Sequence, residues 1–253
     1  MNSLPAATHG RRRVGWTFVD MLLVIVLSVA GTILFAVAFG VVLAALGLGD
    51  GQQYIRDHPV TVTAAALAVV YGMLLVVAYL WIVRRRNVGW SAIGFRPPPL
   101  LPLLLSPIIV IGQFGTVAIT NLLIFSLIGQ FENPQTAAIS GGQGFSWLNF
   151  SLMLLLVGVV APIAEEVLFR GLLYGWLRSR MPIALAVILS AAVFAAAHVI
   201  PLLMPALFLV GIILAVAYEL SGSLWLSILL HSLQNSVSVA LVFAALALGL
   251  PVG

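Results

Sequence analysis

The chain has no cysteine and no lysine. The first absence excludes disulfides, thiolate nucleophiles and thiolate metal sites. The second leaves all 11 basic residues as arginine. Charge of either sign is scarce: Asp, Glu, Lys and Arg together make 7% of 253 residues, against about 25% in a soluble domain. Hydrophobic residues make 62%, and the mean hydropathy is +1.20. These deficits exclude a water-soluble globule and point to a polytopic membrane protein. Three familiar patterns are also missing. There is no HExxH, no internal repeat, and no strand or GK[ST] beside Gly141-Gly142-Gln143-Gly144, which reads as a flexible turn rather than a phosphate loop.

What is present is long apolar runs. The bilayer core offers no water to backbone groups, so such runs must be helices. Runs of about 17–25 residues or more suffice to cross. They fall near 17–48, 60–83, 101–129, 147–177, 183–200, 204–220 and 224–249. The expected fold is all-α: a transmembrane helix bundle of about seven, or eight, spans. The N-terminus also has the look of a signal peptide, with Ser28-Val29-Ala30 as a cleavage site, but the apolar run continues past it and reads as an uncleaved first span. Residues 87–99, with Pro97-Pro98-Pro99, read as a linker. This divides the chain into an N-terminal helix pair with basic segments (1–99) and a helical core (100–253).

The arginines are placed unevenly. Arg11-Arg12-Arg13, Arg84-Arg85-Arg86, Arg96, Arg178 and Arg180 flank one set of span ends, and Arg56 stands alone among the other segments. The positive-inside rule puts the N-terminus in the cytoplasm and the C-terminus outside, in a multi-pass protein of a bacterial cytoplasmic membrane. The pI near 10.1 therefore reflects arginines that meet anionic lipid, and nucleic acid is not an expected partner.

Three polar islands interrupt the greasy C-terminal half: Glu165-Glu166-x-x-x-Arg170, Phe194-x-x-x-His198 and His231-x-x-x-Asn235. A charge at mid-bilayer costs about 2.5–3.5 kcal/mol on insertion scales, so such groups usually face a protein interior and serve function. Glu166 and Arg170, four apart, stack on one helix face as an ion pair, in which the guanidinium keeps the carboxylate ionised. Glu165 points about 100° away and is left free. Pro162 removes a backbone bond and kinks the helix. Phe194 shares a face with His198 and serves as packing support for it; His231 shares one with Asn235. The other histidines, His9 and His58, fall in polar segments. Measured from span ends on one side, Glu165, His198, His231 and Asn235 lie about 20, 24, 12 and 18 Å deep at 1.5 Å per residue, so they can converge.

The three motifs, in this order on consecutive spans, resemble the CAAX protease and bacteriocin-processing family of intramembrane proteases, also called the Abi or CAAX prenyl endoprotease family. The resemblance covers about 147–249, the protease-like domain, including Phe169-Arg170-Gly171 and Ser223-Leu224-Trp225. Residues 1–146 share only hydrophobic helices and an Ile93-Gly94-Phe95-Arg96 linker. The resemblance implies an endopeptidase acting on a membrane-associated peptide or protein, of prenylated CAAX or bacteriocin-like type. It implies Glu165 as the base that activates water, His198 as its assistant, and His231 with Asn235 as the oxyanion hole. It leaves metal open, since the family has been described both ways.

The chemistry of the residues fits those roles. Amide hydrolysis needs a base in reach of water and donors aimed at the developing oxyanion. A catalytic zinc would take Glu165, His198 and His231 as ligands and leave only Glu166, tied to Arg170, as base. The metal-free reading is therefore favoured, with zinc as the alternative. Two other functions are compatible with a buried polar cluster. A proton-coupled transporter would usually show inverted repeats and a polar path through the membrane. A non-catalytic scaffold or immunity protein would keep the cluster as structural glue.

Overall fold

A computed structural model describes residues 14–46, 51–129 and 133–252. Arg11, Arg12, Arg13 and His9 lie outside the described residues. Seven main helices are present: α1 (Phe18–Ala45), α2 (Pro59–Arg85), α3 (Ser106–Ile128), α4 (Trp147–Arg178), α5 (Ile183–Ala197), α6 (Met204–Ser221) and α7 (Leu224–Ala247). Among the described residues there is no strand. The protein is an all-α, multi-pass membrane bundle.

Six of the seven helices are long and apolar enough to cross a bilayer. The exception is α5. Its 15 residues span about 22 Å, short of the roughly 30 Å hydrocarbon core. The sequence run to residue 200 overstates it. The helix stops at Ala197 because Val199 adopts φ 56° and Pro201 follows. His198 is consequently a helix-terminal residue rather than one inside a span.

Tertiary bonds define two ends of the bundle. At one end lie the start of α1, the ends of α2, α4 and α6, and the start of α7. Asp20 pairs with Arg86 at 2.8 Å and accepts from Trp81, Trp16 Nε1 donates to Leu172 O at 3.0 Å, and Arg178 pairs with Glu219 at 3.0 Å. The linker is tied here too: Leu224 N–H donates to Gly94 O and Ser223 Oγ to Arg96 O. This is the arginine end. At the opposite end Gln143 donates through Nε2 to Asp57 O and accepts at Oε1 from Asn149 Nδ2, joining the start of α2 to the start of α4. Val60, Ala64, Met153, Leu156, Val239 and Phe243 form the apolar core of that end.

Helix α4 is the axis of the bundle: half of its most apolar window is buried, against 11% for α1, whose outer faces are left for lipid. It is not uniform. Residues Leu156–Val160 and Val167–Tyr174 form wide π-helical turns on either side of Ala161–Glu166. Pro162 accounts for the first. Ala161 N–H bonds to Leu156 O, five residues back. The next carbonyl in that register, Val157 O, would need the N–H that Pro162 lacks. Asn235 Nδ2 of α7 supplies one at 3.1 Å, and Ser236 Oγ reaches Gly158 O at 3.4 Å. The expected proline distortion is thus a widened turn whose freed carbonyl is bonded by a neighbouring helix. The closeness of α4 and α7 depends on Gly158, where a Cβ would lie 2.6 Å from Ser236 Oγ.

Candidate active site

The islands face one another across α4, α5 and α7, but they form two clusters, not one. The first is centred on Glu166, which is fully buried. Its Oε1 takes Arg170 Nη1 at 2.8 Å and His231 Nδ1 at 2.9 Å; its Oε2 takes the Ser227 hydroxyl. Arg170, also fully buried, donates to Gly211 O at 3.1 Å and lies over the Phe194 ring at 4.5 Å. Gly211 also lets α6 pack closely on α5, since a Cβ there would meet Ala191 Cα at 3.0 Å. A buried ion pair is tolerable only when most of its remaining hydrogen-bonding capacity is met; here both carboxylate oxygens are occupied, and only Arg170 Nε is left without a partner among the described residues.

The second cluster surrounds Glu165. Its Oε1 accepts from the Tyr71 hydroxyl of α2 at 2.7 Å. Its Oε2 is buried and has no hydrogen-bond partner among the described residues. His231 Nε2 stands 3.9 Å from that oxygen, too far for a hydrogen bond. The His231 ring therefore bridges the clusters, one nitrogen on Glu166 and the other turned toward Glu165. With Nδ1–H donated to a carboxylate, Nε2 of the neutral ring is an acceptor; it donates only when the ring is imidazolium.

His198, at the end of α5, holds Phe194 O through Nδ1 at 2.9 Å, so its Nε2 remains for the cavity. Phe194 packs edge-on against both rings, 4.9 Å from His198 and 5.7 Å from His231. It braces the histidines of two helices. Asn235 spends one N–H on Val157 O and keeps a second, because a carboxamide carries two.

Glu165, His198, His231 and Asn235 all line one cavity of about 480 Å³, together with Tyr71 and Phe194. Among the described residues, no three His, Asp or Glu side chains are gathered closely enough to hold a metal ion.

Two participants were not singled out from the sequence. Tyr71 lies in the run Leu67-Ala68-Val69-Val70-Tyr71, where an aromatic reads as core or interface. Ser227, four residues before His231, was a readable signal, since that spacing shares a helix face.

Fold and site together define a polytopic α-helical membrane protein with a buried carboxylate–histidine cavity. Residues 147–237 match the family described as Rce1-like, type II CAAX prenyl endopeptidase Rce1-like, so this stretch of the chain is similar to that protease family. The matched stretch holds the three motifs, and Tyr71 lies outside it. The chain is also similar to an uncharacterized 24.3 kDa protein of Escherichia coli, 27% identical over 222 residues, covering 80% of this chain and 94% of that one. No solved structure matches the chain.

Proposed function

We propose that the protein is an intramembrane endopeptidase that hydrolyses a peptide bond of a membrane-associated polypeptide by a metal-free, glutamate-dependent mechanism. One observation carries the reading. Glu165 presents a carboxylate oxygen with no partner to a cavity that also receives two histidines and a carboxamide. A buried acceptor left unmet costs about 1–3 kcal/mol, a cost that a waiting water would remove.

The roles follow from what each group has left to offer. Glu165 Oε2 takes a proton from water while Tyr71 holds Oε1 and fixes the carboxylate plane. The hydroxide attacks the scissile carbonyl carbon, and the C=O electrons move onto oxygen. The oxyanion is met by the second N–H of Asn235 and by Nε2–H of the His231 imidazolium, whose other N–H rests on Glu166. Collapse of the tetrahedral intermediate breaks the C–N bond. The proton held by Glu165 passes to the leaving nitrogen, with His198 Nε2 positioned to assist. The alternatives lose ground on shape. A transport path needs to run from face to face, and here the fully buried Glu166–Arg170–Ser227 cluster stands across it. The substrate class is a CAAX-type, prenylated or bacteriocin-like peptide, taken over from the family.

The test is comparison of peptides released from membranes holding wild type or Glu165→Gln. Fragments present only with wild type are expected; identical fragment profiles would refute the reading.

A further inference from the structure

The cavity has a direction. On every helix that lines it, the lining residues run from the catalytic groups toward the end away from the arginines. On α2 they are Thr63, Leu67 and Tyr71, in the half next to Pro59. On α4 they are Met153, Val157, Ala161 and Glu165, the half next to Trp147. On α6 they belong to the first half, up to Val210, and on α7 they start at His231 and continue to Val242. On α5 the deepest is Phe194 and the last is His198, at the far terminus. Asn133, Gln135 and Thr136, in the segment joining α3 to α4, complete the lining at the opposite end. On the arginine side the cavity is stopped by the Glu166–Arg170–Ser227 cluster, which is fully buried.

The ends differ in charge. Arg84, Arg85, Arg86, Arg96, Arg178 and Arg180 mark the closed end, and Arg56 alone stands at the open one. Positive charge beside spans marks the cytoplasmic face.

We infer that the site opens to the non-cytoplasmic face, and that its substrate is a polypeptide segment anchored in or emerging from the outer side of the membrane. This rests on the protease reading for the word substrate, but not for the direction. A prenylated protein held on the cytoplasmic leaflet would meet the closed end of the bundle, beneath the buried ion pair. A translocated peptide would meet the mouth formed by the α3–α4 segment and reach Glu165 along a passage lined by apolar side chains such as Leu67 and Val157 and polar ones such as Thr63 and Ser238.

The absence of cysteine makes the direction directly measurable. Single-cysteine variants Gln135→Cys at the mouth, Ser238→Cys in the passage and Arg180→Cys at the arginine end would be labelled with a charged, membrane-impermeant maleimide. Right-side-out and inverted bacterial membrane vesicles would be compared. Labelling of positions 135 and 238 in right-side-out vesicles only, and of position 180 in inverted vesicles only, is expected. The reverse pattern overturns the inference. So does labelling of position 238 from the inverted side, which would place the mouth at the arginine end. A second arm displays a short randomised peptide on either side of a single-span anchor. Release from the outer reporter by wild type, lost with Glu165→Gln, is expected; release from the inner reporter alone would contradict it. Release from neither counts against the protease reading, while the labelling still decides the direction.

Discussion

Glu165 and Glu166 are adjacent in the chain and belong to regions built on opposite principles. Around Glu166 every charge is matched: a guanidinium, an imidazole and a hydroxyl converge on two oxygens, and the carboxylate is inaccessible. Around Glu165 one oxygen is anchored by Tyr71 and the other is left without a partner beside a cavity. A satisfied ion contributes rigidity and has nothing left to react with. An unsatisfied one is costly to keep and chemically available. The saturated cluster fixes His231, and His231 in turn faces the unsaturated one. The molecule thus uses its inert carboxylate to orient a partner of its available one.

The sharpest way to break this contrast is to treat both carboxylates alike. Glu165→Gln keeps the shape and removes the base. Turnover is expected to fall about 10²–10⁴-fold with little change in folded yield. Measuring peptide release and detergent-extracted yield on the same preparation checks both halves. Arg170→Ala should act the other way. Stranding Glu166 costs about 3–5 kcal/mol, so folded yield should collapse before activity can be assayed. Equal loss of yield from the two substitutions would erase the division between clusters.

Asn235 tests whether a residue can serve both regions. Asn235→Ala is expected to lower turnover about 10²–10³-fold, the usual effect of losing an oxyanion donor. The same residue also bonds the carbonyl stranded by Pro162. Repeating the substitution in a Pro162→Ala background, which restores the missing N–H, separates the two. A persistent loss points to the oxyanion; recovery of turnover would reduce Asn235 to a helix tie.

Tyr71→Phe should produce a smaller effect. Losing one hydrogen bond to a charged group is worth about 1.5–3 kcal/mol, so kcat should fall about tenfold or more while KM changes little. Unchanged kcat would remove α2 from the site. The smallest expected effect is none: stripping the purified protein with a chelator should leave its cleavage rate intact. Restoration of a chelated, inactive enzyme by stoichiometric zinc would make Glu165, His198 and His231 ligands instead.

Much of this is legible in the sequence. Apolar length places helices because the bilayer enforces hydrogen-bonded backbone, and the four-residue spacing of Glu166 and Arg170 states its own geometry. What could not be read depended on neighbours distant in the chain. Tyr71 meets Glu165 across 94 residues, and an aromatic in an apolar run carries no mark of its hydroxyl's partner. The end of α5 at Ala197 needed the backbone turn at Val199, which composition does not reveal. The first wide turn of α4 depends on donors supplied by α7, so a proline that reads locally as a kink becomes a register change.

That register change governs how the gene can vary. In a helix, removing one residue advances everything beyond it by about 100° in azimuth. A deletion between Leu156 and Val160 would carry Glu166 to the bearing now held by Glu165 and swing Arg170 off Gly211. Both carboxylates would survive in the sequence, and both would be in the wrong place. Substitutions on the lipid-facing surface of α1 are free to drift, whereas α4 tolerates almost no change of length. Its wide turns act as a phase setting, counted out from Trp147, that tells two identical neighbouring residues which of them is to be buried and which is to be exposed to chemistry.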